Sequence, residues 1–389
     1  MECGLNEVMS KRIEIIDSVR GFAILGILLL NISGFALLST ADINPFYKDS
    51  VSSSDVVIWS VLNTFAAGKF RFILALLFGA SLELLRQNGR DKDIARLLVL
   101  AVMGLLHGVL LWDGDILLSY SIAAMLAWHF VKTRQTLLST ALTFYLFGVM
   151  MLYLLYLLIT FTGDGNAFWQ FQATPENIFQ ETYWKTHGGW LAIEYRIREM
   201  SIMIMMVIVQ YGWQIMGTML CGAMLVRNGW LKGTFSDRHY RLVALCFIPI
   251  GIVMQAMTLS TRYLDLGNYS IWLSISDIMP ELATPLFGLA YIALIYGFWS
   301  VISCWRVTFW LRQVGKMALS SYLLQTLVCT TIFYHLELFE QFNRLELMAF
   351  IPFIWALNIG FACWWLKRYS HGPMEKLWRH LTAQLANKL

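Results

Sequence analysis

Ten continuous apolar stretches constrain this chain more than any other feature of it. They fall near 13–38, 56–85, 95–112, 116–131, 136–162, 200–225, 242–260, 279–300, 317–335 and 347–366. A bilayer core about 30 Å thick is crossed by roughly 20 helical residues. Inside lipid every backbone polar group must be satisfied within the protein, which leaves only helices or closed barrels. A barrel would show short segments of alternating polarity; these runs are unbroken and rich in Leu, Ile, Met, Val and Phe. Only 14% of the residues are charged and 58% are hydrophobic, against roughly 25% charged in a soluble domain. The expected fold class is therefore all-α: a polytopic integral membrane protein of about ten transmembrane helices.

Sorting the basic residues by side sets the orientation. With the N-terminus inside, twenty Lys and Arg fall in inner segments and six in outer ones, a clear positive-inside bias. Both termini are then cytoplasmic, and the net charge of +4 reflects topology rather than a nucleic-acid partner. Arg20, Lys69 and Arg71 stay within membrane segments. The chain reads as an N-terminal membrane region (1–162), an outer interfacial segment (163–199) and a C-terminal membrane region (200–389) that ends in an amphipathic tail opened by Pro373. The first apolar run is too long for a signal peptide and is expected to remain as a spanning helix. The six cysteines show no C-x-x-C pair and read as free thiols.

Buried polar residues in such a chain point to function or to helix pairing. Asp17 and Arg20 lie three apart on one helical face. Asn31 follows Arg20 by eleven residues, a net rotation of about 20° and a rise of roughly 16 Å, so both point the same way. This polar stripe would line a cavity or a helix junction. The second apolar stretch is interrupted at Gly68-Lys69-Phe70-Arg71-Phe72. Its two cations either face an anionic ligand across a helix break or snorkel from an interfacial helix.

His107, with Asp113 and Asp115 in the turn that follows, is the densest cluster of proton-transfer groups. An imidazole titrates near neutral pH and a carboxylate can orient it. His107 is thus the expected general base, the alternative being a histidine bonded to a neighbouring carbonyl beside a wet turn. Gln210 and Gln214, four apart, and Glu281 between Pro280 and Pro285 are candidates for a substrate cavity, or for glue between helices. No ligand spacing suggests a metal.

Several motifs together carry a family resemblance: Asp17-x-x-Arg20-Gly21-x-Ala23 with Asn31, Leu76-Leu77-Phe78-Gly79, His107 with Asp113-Gly114-Asp115-Ile116-Leu117, Tyr211-Gly212-Trp213-Gln214, Ser321-Tyr322-Leu323-Leu324-Gln325-Thr326, and Gly372-Pro373 with Leu377-Trp378-Arg379. Over nearly its whole length the chain resembles the YeiB family of bacterial inner-membrane proteins, whose C-terminal half is the DUF418 region. More distantly, the first motif is similar to that of transmembrane acyltransferases, including bacterial sugar O-acyltransferases and heparan-α-glucosaminide N-acetyltransferase. The former carry a histidine at the position of Asn31. The latter carry a catalytic histidine in the outer region after the first helix, where this chain has none before His107.

What the resemblance implies is acyl transfer across the inner membrane, from a cytoplasmic acyl-CoA co-substrate to a small-molecule or glycan acceptor on the outer side. Cations such as Arg20 (paired with Asp17), Lys69 or Arg71 would meet the CoA phosphates. His107, held by Asp113 or Asp115, would deprotonate the acceptor, and Asn31 would orient the carbonyl. The competing expectation is a transporter or permease for a small solute, with the same buried ions as its pathway. The lipid bilayer is a partner in either case, and a homodimer stays open.

Overall fold

A run of apolar residues too long for any turn closes its own hydrogen bonds as a helix, and the computed structural model is helical at each such run. It describes residues 2–44, 46–48, 51–86, 89–133, 136–162, 173–264 and 271–388; the side chains of 2–13, 43, 159–162, 260–264 and 271–277, including that of Asp277, lie outside the description. The helices are α1 (Glu2–Ala36), α2 (Ser39–Ile43), α3 (Ser53–Phe65), α4 (Lys69–Leu84), α5 (Arg90–Leu110), α6 (Leu117–Thr133), α7 (Leu138–Thr162), α8 (Pro175–His187) and α9 (Gly189–Met206). After a π-turn at Val207–Tyr211 come α10 (Gly212–Arg227), α11 (Asp237–Leu264), α12 (Ile271–Gly297), α13 (Trp299–Ile302), α14 (Arg306–Lys316) and α15 (Ala318–Thr330). A second π-turn at Thr331–His335 precedes α16 (Arg344–Leu366) and α17 (Pro373–Ala386). No strand occurs among the described residues.

Eight helical spans among the described residues are long and apolar enough to cross a membrane. A ninth is the pair α14 and α15 with its π-turn, taken as one span although bent by 91°. Helix α6 has 17 residues, about 25 Å of rise, at the short end of the spanning range. Two of the expected segments differ in form. The stretch over 317–335 is the second arm of that bent pair, because α14 is a strongly amphipathic helix carrying Arg306, Arg312 and Lys316. The helix through 200–225 begins at Gly189 and is 39 residues long; its first half carries Glu194, Arg196, Arg198 and Glu199, polar enough to stand beyond the lipid.

Ion pairs sort by end of the bundle. Glu14 with Arg312 (2.7 Å), Glu83 with Arg227 (2.8 Å) and Asp93 with Lys132 (3.2 Å) join residues the alternation assigns inside. Lys185 with Glu181 (2.8 Å), and Lys48 with Glu340, join residues assigned outside. Helix α17 packs on α5 and α15 at the first end, where the Trp378 indole donates to the Arg96 carbonyl at 2.9 Å. Helix α8 closes the second end, with Thr174 capping its N-terminus and Pro175 in the first turn.

Close helix crossings depend on four glycines. A Cβ on Gly21 would stand 1.8 Å from the Leu311 carbonyl oxygen, and one on Gly315 would stand 1.8 Å from that of Asp17. Between α4 and α10, a Cβ on Gly79 would meet the Met219 carbonyl at 1.9 Å and one on Gly222 that of Leu76 at 1.9 Å. Small residues let membrane helices touch along their backbones, where packing rather than the hydrophobic effect holds them together. The Gly222→Ala variant is expected to lose about 1–3 kcal/mol through overpacking, read as a lower thermal midpoint in detergent. Gly360→Ala, with open space at its Cβ, is expected to leave the midpoint near that of the wild type.

Candidate functional site

The turn between α5 and α6 has to reverse the chain in six residues, and its polar groups are held from within. The Asp115 Oδ2 accepts the Leu118 N–H at 2.7 Å, satisfying one of the orphan donors at the start of α6. Its Oδ1 lies 2.8 Å from Nδ1 of His107, and Nε2 of His107 lies 3.0 Å from the Thr326 hydroxyl on α15. A carboxylate only accepts, so Nδ1 carries the proton it shares with Asp115, while Nε2 is held by the Thr326 hydroxyl. His107 and Asp115 are each 3% exposed and Thr326 1%. Gly104 makes the approach possible, since a Cβ there would stand 2.4 Å from the Leu118 nitrogen. Asp113 turns away, toward the charges of Lys185 and Arg196.

This braced turn lies between two cavities. The one at the α17 end has a volume of about 690 Å3 and is lined by Arg20, Lys92, Arg96, Lys316 and Arg379 against the single carboxylate of Glu375. Glu375 is already engaged, accepting the Leu319 and Ser320 N–H groups at 2.8 and 3.1 Å at the start of α15. Arg20 is paired with Asp17 at 2.9 Å. The remaining cations leave the cavity strongly positive, and its deep wall is Ile116, Leu117, Tyr120 and Tyr322.

The cavity at the α8 end has a volume of about 350 Å3 and is lined by Asn31, Asp42, Asn63, Arg71, Arg344 and, at its floor, Trp112, Gly114 and Ile116. Ile116 therefore borders both cavities. Asp42 and Arg71 are exposed to this space although they sit well inside the fold. Removal from bulk water pushes the Asp42 carboxyl up to about 6, against the opposing pull of Arg344, Lys185 and Arg71 and with a further push from Glu181. The side chains of Asn31, Asp42 and Arg71 make no hydrogen bond among the described residues. Arg344 is 2% exposed; its Nη2 donates to the Ala41 carbonyl at the end of α2 at 2.7 Å, and its Nη1 is buried without a partner.

The sequence-expected residues thus separate. Arg20, paired with Asp17, lines one cavity, Asn31 and Arg71 line the other, and His107 and Asp115 form the partition's brace; His107 lines neither, but a lateral apolar groove between α5 and α17. Lys69 joins neither cavity: it is fully buried, donates at 2.8 Å to the Asn63 carbonyl, an orphan acceptor at the end of α3, and lies 5.4 Å from the Phe287 ring. Gln210 donates to Gln214 at 3.0 Å and Gln214 to Glu281 at 3.2 Å, a chain whose carboxylate interacts with Arg71 and Lys69. Gln210 and Tyr211 sit in the π-turn, a helical irregularity frequent at functional sites. Among the described residues no three His, Cys, Asp or Glu gather as a metal site requires.

Sequence reasoning missed Asp42, Arg344, Thr326, and the cations Lys92, Arg96, Lys316 and Arg379. Asp42 and Arg344 meet only through the fold. Thr326 is part of the Ser321–Thr326 motif, which marked it without assigning it a contact.

Spanning helices around two cavities that share Ile116 as a border define an all-α polytopic membrane protein. The comparisons specify it further. The family described as "Protein of unknown function (DUF418)" matches residues 225–384. The uncharacterized protein YeiB of Escherichia coli (strain K12) is 41% identical over 375 residues, 95% of this chain and 96% of that protein. The uncharacterized protein YxaH of Bacillus subtilis (strain 168) is 25% identical over 409 residues, 96% of this chain and 94% of its own. The chain belongs to the YeiB family, with its DUF418 region. No solved structure matches it.

The brace predicts a coupled loss. Asp115→Ala leaves a buried imidazole N–H and the Leu118 N–H unpaired and is expected to cost about 2–4 kcal/mol. Adding Thr326→Val should cost less than its effect in the wild type, because the two act through one histidine. Denaturation of the single and double variants in detergent measures the coupling; strict additivity would dissolve the network.

Proposed function

We propose that the chain is an acyltransferase of the bacterial inner membrane, with the α17 end in the cytoplasm, moving an acyl group from acyl-CoA to an acceptor on the outer side. The supporting observation is the pair of cavities that share Ile116 as a border, the inner one rich in unbalanced cations. Phosphate groups are bound by Arg and Lys through charge-assisted hydrogen bonds, so the CoA phosphates fit the side of Lys92, Arg96 and Arg379. The thioester then extends toward Tyr322 and Ile116. The orientation rests on the twenty-to-six excess of basic residues at this end.

The chemistry needs a base and a polarising group where the acceptor enters. Asn31, whose amide is unengaged, can donate to the thioester carbonyl oxygen as charge develops on it. Asp42 faces the same space, and its ionised form can take the proton of an acceptor hydroxyl or amine. The acceptor oxygen or nitrogen then bonds to the carbonyl carbon, the carbon–sulfur bond breaks, and the sulfur leaves with a proton as the CoA thiol. His107 and Asp115, with both ring nitrogens engaged, act here by fixing the turn that carries Gly114 and Ile116. Transport of an unmodified solute would use the same two cavities; it is favoured if CoA binds nowhere.

Calorimetric titration of the purified protein with CoA and acetyl-CoA is expected to be saturable and weakened about tenfold or more by Arg96→Ala, the loss of a charge-assisted contact. Thiol release in the presence of an acceptor should rise with pH through about 6 as Asp42 ionises. The sign follows from the role: the base works only when deprotonated, so activity falls below that pH and the rise disappears in Asp42→Asn. A folded protein that binds neither CoA nor acetyl-CoA would overturn the reading.

A further inference from the structure

Two guanidinium groups, those of Arg344 and Arg71, line the outer cavity with the single carboxylate of Asp42, while Glu281 acts on Arg71 and Asp55 on Arg344 from outside the lining. Arg344 is 2% exposed, yet its Nη1 has no hydrogen-bond partner, while its Nη2 is fixed by the Ala41 carbonyl at 2.7 Å. The guanidinium is stacked near Tyr47, 5.2 Å from the ring centroid, so its direction is set by contacts on two sides. Arg71 lines the same cavity from α4; its guanidinium makes no hydrogen bond among the described residues and stands 5.6 Å from the Tyr211 ring. Leaving a buried guanidinium N–H unpaired is costly unless something else pairs with it. Asn31, Asn63 and Ser33 add amide and hydroxyl groups to the lining.

We infer that this cavity is a receptor for a small polyhydroxylated anion, whose carboxylate or phosphate is held by Arg344 and Arg71 while its hydroxyl or amine faces Asp42 and Asn31. A guanidinium presents its donors in a plane that suits either oxyanion. A volume of about 350 Å3 is near the lower end of small-molecule sites, enough for one acidic sugar or a comparable head group. Neutral sugars leave the Arg344 Nη1 and the Arg71 guanidinium without an anionic partner and bind less well. This deepens the acyl-transfer reading by naming the acceptor class, but the site itself needs no acyl-CoA.

The test is equilibrium binding to the purified full chain in detergent, without CoA, of three probes: glucuronate, glucose 6-phosphate and glucose. The expected result is saturable binding of at least one acidic sugar, about tenfold or more tighter than glucose, with the difference reduced about tenfold in Arg71→Gln. The Arg71 guanidinium makes no hydrogen bond to lose, its backbone carbonyl keeps the Tyr120 hydroxyl and Glu281 keeps Gln214 as a donor, so that variant should fold; Arg344→Lys, which keeps the charge and loses the planar fork, is the second and is expected to weaken binding as well. Preference for glucuronate or for glucose 6-phosphate identifies the oxyanion as carboxylate or phosphate. Glucose binding as tightly as the acids, no binding of any probe, or binding indifferent to Arg71→Gln would overturn the inference. Arg96→Ala at the opposite cavity should leave these affinities unchanged, so failure of acyl transfer and failure of the anion site are distinguishable.

Discussion

Lipid offers no hydrogen bonds, and the interior of this chain is organised by that deficit. Each polar group at membrane depth must find a partner in the protein or open into a cavity that admits water. Lys69 finds the loose carbonyl at the end of α3. Gln210, Gln214 and Glu281 chain together. His107 finds Asp115 and Thr326. Asn31, Asp42 and Arg71, whose side chains make no hydrogen bond among the described residues, line the outer cavity together, and that grouping is what makes the cavity a candidate site rather than a packing defect.

The same rule explains how helices distant in sequence come to share a site. Glycine contacts bring α1 against α14 and α4 against α10, so the first helix and the DUF418 region close the cavities jointly. Glu375 of the tail caps α15 at 2.8 Å through the Leu319 N–H, which ties α17 to the bend and makes Arg379 part of the inner wall. The amphipathic tail is thus part of the cavity wall.

Much of the fold was legible in the sequence because lipid imposes a simple code: apolar run, basic flank, alternation. The exceptions have physical causes. The bend at Met317 follows from an amphipathic α14 that hydropathy alone reads as loop, and α6 is short enough to sit at the edge of any length criterion. The site was less legible. Asp17 with Arg20 and Asp115 with His107 were within reach because they are local in the chain, three and eight residues apart. Asp42 with Arg344, and His107 with Thr326, are separated by hundreds of residues, and a single sequence carries no signal for such a meeting.

The central claim is that the two cavities serve one reaction across the Ile116 partition. A cryo-EM reconstruction of the protein with acetyl-CoA tests it most directly. The account predicts density for the phosphates among Lys92, Arg96 and Arg379, with the acetyl group reaching the Ile116 and Gly114 turn. Acetyl-CoA density at the outer cavity, or a well-resolved inner cavity empty at saturating ligand, would contradict it.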